Sequence, residues 1–192
     1  MINDVAQRSL RAGRASVAAL ILALAMPLDA AGRSQDVQYA WWVTAAFLPT
    51  GGEVEGIPVQ MLDATWQRAS VIQQSDLPAA AARSGDRLED FGVTLSVEAD
   101  LDGDKRPERA VVGVFETVQG EVGRFLLVLG RSGDREGWFK RALFTAKGSG
   151  SRFSALQLDG RTLLWFGCLE CDNVCRVVKK RGRFRLHCES CC

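Results

Sequence analysis

The chain of 192 residues contains one histidine. His187 is therefore the only imidazole available for a Ser/His/Asp or Cys/His arrangement, and no serine sits in a G-x-S-x-G nucleophile turn. Nucleophilic catalysis built from those parts is not indicated. An excess of either charge is also lacking, with 24 Lys and Arg against 23 Asp and Glu. Such a balance gives no global pull toward nucleic acid or an anionic membrane. Past the first thirty or so residues there is no long apolar run, so nothing further is expected to span a bilayer, which takes about 20 residues. No repeat of fixed period recurs, although Leu158-Asp159-Gly160 faintly echoes Leu101-Asp102-Gly103.

What is present begins with a leader pattern. Arg8, Arg11 and Arg14 precede the uncharged run ASVAALILALAMPL, and the small residues Ala30, Ala31 and Gly32 follow. A positive start, a short apolar stretch and a small-residue exit predict a secretory signal peptide over residues 1–31, with an uncleaved anchor as the alternative. No cysteine follows the apolar run, so a lipid anchor is not expected. Removing the leader takes away Arg8, Arg11, Arg14, Asp4 and Asp29, leaving 21 charges of each sign. The remaining chain of about 160 residues suits a single domain with a real core. Export to the periplasm or the exterior would place its cysteines in an oxidising compartment.

Residues 37–48, VQYAWWVTAAFL, read as either a strand or a short helix. Between Pro58 and Gln73 the residues Leu62, Trp66, Ala69 and Gln73 recur at helical spacing, which predicts one short amphipathic helix. A connector rich in alanine follows. From Phe91 the pattern becomes β, with runs at about 91–99, 109–117, 123–130, 137–145, 152–158, 161–168, 174–179 and 183–188 separated by turn-rich segments. In RGRFRLH, Arg183, Arg185 and His187 alternate with Phe184 and Leu186, as on a strand with one buried face. The expected fold is mainly β: an antiparallel, hairpin-built sheet, sandwich-like or like an incomplete propeller, with one short N-terminal helix. Segment 32–90 is expected to pack with 91–192 as one domain, and Trp138 and Trp165 to belong to its core.

The segment DLDGDKRPE, residues 100–108, is the main chemical signal. Asp100, Asp102 and Asp104 occupy alternate positions, Gly103 eases a tight curl, and Glu108 closes the stretch. A hard cation such as Ca²⁺ needs six to eight oxygens, and a short loop supplies them by aiming alternate carboxylates at one point. Clustering the carboxylates without a cation would leave them repelling one another. Carboxylates this close suit a cation better than the paired acids of a glycoside hydrolase. An EF-hand loop does not fit, because glycine at position six and glutamate at twelve are replaced by Lys105 and Val111.

The stretch resembles the calcium loop of FG-GAP and VCBS repeats, with the pattern D-x-D/N-G-D-G-x-x-D between two strands. Phe91-Gly92 and Val112-Gly113 resemble that family's flanks. The resemblance implies Asp100, Asp102, Asp104 and Glu108 as side-chain ligands and Arg106 as a carbonyl ligand. Lys105 stands where the pattern has glycine, and Glu108 where it has aspartate. The resemblance covers about 25 residues and one copy, whereas a propeller needs roughly four to eight blades. A loop is implied, and a propeller is not. Extracellular calcium modules bind at about 10⁻⁴ to 10⁻³ M, so the expected role is a structural clamp.

All six cysteines lie near the C-terminus: Cys168, Cys171, Cys175, Cys188, Cys191 and Cys192. Cys168-x₂-Cys171 and Cys188-x₂-Cys191 match zinc-ribbon spacing, with His187 as a substitute ligand. In an exported chain the same even count reads as disulfides. A hairpin turning at Lys180-Arg181-Gly182 would bring Cys188 near Cys171 or Cys175. A redox-active CxxC is a third reading, although no βαβ pattern accompanies it. The run RVVKKRGRFRLH holds six Lys and Arg and no acid, suiting a solvated hairpin or a contact with an anionic polymer or membrane surface. Together these features predict an exported, calcium-stabilised, disulfide-bonded β-domain that serves as a binding or structural module for a protein or polymer partner, not nucleic acid. A zinc-ribbon interaction module or a thiol-redox factor is the alternative.

Overall fold

A computed structural model describes residues 40–131, 137–148, 152–170 and 174–188, all within one compact unit, Gln38–Cys192. The expected leader, 1–31, lies outside the described residues, as do Cys171, Cys191 and Cys192. Among the described residues no helix is long and apolar enough to cross a membrane.

The chain is mainly β, and among the described residues its sheets are antiparallel and do not close into a barrel. A small hairpin comes first, β1 (Glu53–Val54) and β2 (Ile57–Pro58). The larger sheet has the order β3 (Trp66–Val71), β5 (Glu108–Thr117), β6 (Val122–Arg131) and β7 (Trp138–Lys147), and β4 (Ser96–Ala99) pairs beside β5. The second sheet runs β11 (Arg183–Cys188), β10 (Val174–Lys180), β9 (Thr162–Phe166) and β8 (Ala155–Asp159). Among the described residues there are also two one-turn helices, α1 (Trp41–Thr44) and α2 (Val59–Leu62), and three short 3₁₀ turns between β3 and β4.

Strands β5 and β6 carry near-continuous apolar runs because both of their faces are covered. One face sends Ala110, Val112, Val114, Leu126 and Val128 against Leu156, Leu163, Trp165, Val177 and Phe184 of the second sheet, with Phe153, Trp41 and Trp42 filling the gap. The two sheets thus pack as a sandwich. The other face sends Val111, Phe115, Phe125, Leu127 and Leu129 against Val54, Val59, Leu62, Trp66 and Ala69. Trp66 stacks on Phe115 with ring centroids 4.5 Å apart. Burying side chains of this size contributes about 1.5–3 kcal/mol each.

The strand boundaries expected from 108 onward match the fold closely, but the helix expected over 58–73 does not form. Only Val59–Leu62 makes a helical turn. Asp63 then accepts hydrogen bonds from the N–H and hydroxyl of Thr65 (2.8 and 2.7 Å), a local turn that competes with helix continuation. The rest is strand β3, paired with β5 through Trp66–Thr117, Ala69–Phe115 and Val71–Gly113. A bulge between Trp66 and Arg68 lets two residues three apart share one face, which imitates a helical period. The strand expected from 91 starts later: Leu88–Phe91 is a 3₁₀ turn ended by Gly92 at φ +66°, and β4 begins at Ser96. Gly113, read as a motif flank, has a packing role. A β-carbon there would collide with the Ser70 carbonyl and the Phe125 ring, so glycine lets β3 and Phe125 close onto β5.

Candidate functional site

The acidic loop lies between β4 and β5, where Glu98–Arg109 and Ala99–Glu108 are cross-strand partners. Its curl is set by carboxylates that accept backbone N–H groups. Asp100 accepts from Gly103 (2.6 Å) and Lys105 (3.2 Å), Asp102 from Asp104 (3.0 Å), and Asp104 from Arg106 (2.8 Å). Gly103 turns with φ +83° and Lys105 with φ +68°, in the region that suits glycine. Leu101 inserts into the core between the sheets, and its N–H donates to Glu108 Oε2 at 2.9 Å.

Of the expected ligands, Asp100, Asp102 and Glu108 come together, with carboxylate oxygens within 4.8 Å of one another. Asp104 is exposed and lies outside that group of side chains, and the residue expected to offer its carbonyl, Arg106, is exposed as well. The donors are hard oxygens, which fits Ca²⁺ by type. Two of the three carboxylates, however, already face cations from other strands. Arg141 Nη2 lies 2.7 Å from Asp102 Oδ2, and Nη1 of the same guanidinium binds Glu108 Oε1. Lys179 Nζ lies 3.0 Å from Asp102 Oδ2 and donates to the Asp102 carbonyl as well. The side chains of Asp102 and Glu108 are each 2% exposed, against 22% for Arg141 and 32% for Lys179. Asp100 accepts only backbone N–H donors among the described residues.

The two buried carboxylates respond oppositely to this setting. Burial raises the pKa of Asp102, but hydrogen bonds from Lys179 and Arg141 outweigh it and lower the pKa from 3.8 to about 2. For Glu108 burial prevails and raises the pKa above 4.5, with Asp102 and Asp104 adding to the rise against the Leu101 N–H and Arg141.

Arg141 and Lys179 were not legible as site residues. The β6–β7 register pairs Val128 with Ala142 and Leu129 with Lys140, so Arg141 is the extra residue of a bulge. A bulge re-aims a side chain, here past the Phe184 ring (5.4 Å) and onto the loop. Lys179 alternates with Cys175 and Val177 on the inward face of β10, opposite Phe184. Inward lysine in an otherwise basic run has no distinguishing sequence signal.

No protein-family model, curated protein or solved structure matches this chain.

The C-terminal hairpin turns at Arg181-Gly182, both with positive φ (+52° and +74°), as a two-residue loop of the primed kind requires. Its register places Cys175 opposite Cys188, with Cα atoms 4.0 Å apart, and the two form a disulfide. Cys168 is disulfide-bonded as well. A zinc site made of Cys168, Cys171, Cys188 and Cys191 would need sulfurs already held in S–S bonds. On the outward face, Arg176 lies opposite His187, Val178 opposite Arg185, and Lys180 opposite Arg183. These residues line a shallow depression of about 880 Å³, together with Arg181 and Leu186.

Proposed function

We propose that the chain is an exported, disulfide-bonded β-module that binds a linear anionic polymer through the outer face of β10–β11, and that Ca²⁺ reinforces the acidic loop behind it. The observation carrying the binding reading is the register: Lys180, Arg183, Arg185 and His187 share one face of a single hairpin with Arg176. That hairpin is covalently closed at one end by Cys175–Cys188 and tied inward by Lys179 to Asp102. A cationic row held in place this way loses less entropy on binding than a floppy tail would. Arginine suits carboxylate, sulfate and phosphate groups by bidentate geometry. The hairpin's phenyl ring, Phe184, is buried, so this outward face carries no phenyl or indole ring for stacking bases.

The test uses inorganic polyphosphate and poly-glutamate as probes, with the full chain. Saturable binding that weakens with salt and falls at least about tenfold in Arg183→Glu/Arg185→Glu is the expected result, since charged hydrogen bonds contribute about 1.5–3 kcal/mol each. Equal binding by that variant, or binding only to single-stranded oligonucleotides or anionic vesicles, would overturn the polymer reading.

The calcium part rests on the oxygen cluster. Asp100, Asp102, Asp104 and Glu108, with the Arg106 carbonyl, are the groups that would hold the ion, as in loops of the FG-GAP and VCBS kind. The ion would supply positive charge beside Asp100, which no cation partners among the described residues. Millimolar calcium should raise the melting temperature, and Asp100→Asn should remove the rise. A second reading is favoured by the Arg141 and Lys179 contacts: these two cations are themselves the counter-ions of the clamp. Melting unchanged by calcium and chelator would select it.

A further inference from the structure

A second cationic site lies well away from the acidic loop, at the other end of β5. Arg124 pairs with Val114, six positions along β5 from Glu108, or about 20 Å at strand rise. On β6 it alternates with Leu126 and Val128, so it occupies a core-facing position where the two sheets begin to part. Its guanidinium reaches the second sheet, where Nη1 donates to the carbonyls of Phe153 (3.2 Å) and Gly167 (3.1 Å). It also stands over the Trp165 ring at 5.8 Å. A β-carbon on Gly167 would strike this guanidinium, so the close approach depends on glycine there.

Arg124 has no carboxylate partner among the described residues, although partial burial makes an uncompensated charge costly. Two carbonyl dipoles orient the group without neutralising it, and Nη2 and Nε make no hydrogen bond among the described residues. Arg124 also borders open space. That space is a cleft of about 180 Å³ lined by Arg124, Arg152, Lys147 and the glycines 123, 148 and 167, with Ala146. No acid lines it among the described residues. Arg152 is steadied by the Phe47 carbonyl (3.3 Å), and Lys147 pairs with the exposed Glu121 (2.6 Å).

We propose that this cleft is a binding site for a small multivalent oxyanion, with Arg124 as its floor and Arg152 and Lys147 as its rim. Cations from β6, the end of β7 and the segment before β8 converge on one volume, which suits a phosphate or sulfate group better than a single planar carboxylate. The volume falls below the roughly 300 Å³ at which drug-sized pockets begin, so the ligand is a small anion or the terminal group of a larger molecule. A side chain at Gly167 would fill the space against the guanidinium, so glycine there keeps it reachable.

Calorimetric titration of the full chain with inorganic phosphate, sulfate, acetate and chloride at fixed ionic strength tests the site. Saturable binding of phosphate or sulfate, with acetate weaker and chloride absent, is expected. Arg152→Gln changes a rim residue that makes one backbone contact among the described residues, so it should fold normally and weaken binding about tenfold or more. Arg124→Lys keeps the charge but loses the planar fork and should weaken binding as well, with melting recorded to separate folding from affinity. Arg183→Glu/Arg185→Glu should leave phosphate binding unchanged, which separates this site from the hairpin face. Absence of saturable binding, equal response to chloride, or loss in the hairpin variant with retention in Arg152→Gln would each overturn the proposal.

Discussion

Lys179 Nζ and Asp102 Oδ2 lie 3.0 Å apart, although 77 residues separate them in the chain. The contact joins the C-terminal hairpin to the loop between β4 and β5, and Arg141 joins the same carboxylate from β7. Asp102 is thus a three-way tie between the sheets. Replacing it by alanine strands Lys179 and leaves Arg141 with Glu108 alone at the sandwich end. Breaking a fully buried pair costs about 3–5 kcal/mol, but Arg141 and Lys179 are partly solvated, so Asp102→Ala should cost about 2 kcal/mol in urea unfolding. A double-mutant cycle with Lys179→Met should show coupling, and strict additivity would refute the tie.

Acid should affect the two buried carboxylates in opposite directions. The Asp102 pKa is lowered from 3.8 to about 2, so its contribution is fully present above 3.8 and is lost as pH falls through about 2. The Glu108 pKa is raised above 4.5, so the folded state takes up a proton first and gains stability as pH falls toward 4.5. Stability measured against pH should therefore drop below 3.8 in the parent, and Asp102→Asn should flatten that drop. Glu108→Gln should remove the gain on the higher side.

Lys105 and Gly103 both adopt left-handed backbone in the loop, but only one of them is glycine. Left-handed backbone costs a residue with a β-carbon about 1–2 kcal/mol, while glycine loses more chain entropy on folding. Lys105→Gly should thus be neutral or stabilising by up to about 1 kcal/mol. Gly103→Ala should destabilise, because its β-carbon also meets the Arg161 guanidinium. Chemical denaturation of the two variants side by side gives the comparison, and a Lys105→Gly variant clearly less stable than the parent would contradict it.

The Cys175–Cys188 bond closes a segment with a separation of 13 residues. A loop of that size contributes about 3 kcal/mol by restricting the unfolded chain. Cys175→Ser/Cys188→Ser should lower stability by about 2–3 kcal/mol, and polyphosphate affinity should fall with it if the rigid hairpin is the binding face. Full affinity in that variant would separate binding from hairpin closure.

The strands from 108 onward were legible because each alternates or runs apolar between turn residues, and local patterning dictates such elements. The acidic loop was legible for the same reason, since its carboxylates and its curl lie within nine consecutive residues. The helix read over 58–73 failed because a bulge at Trp66/Arg68 gave a strand the spacing of a helix, and the open edge of β5 offered that strand a hydrogen-bonding partner. The sequence by itself determined the β composition, the hairpin with its one basic face and the clustering of Asp100, Asp102 and Glu108. Tertiary structure alone decided what meets those carboxylates. Arg141 reaches them through a bulge and Lys179 through the packing of one sheet on the other, and Arg124 finds its cleft between the same sheets. None of these contacts has a local pattern, because each depends on which distant strands lie side by side.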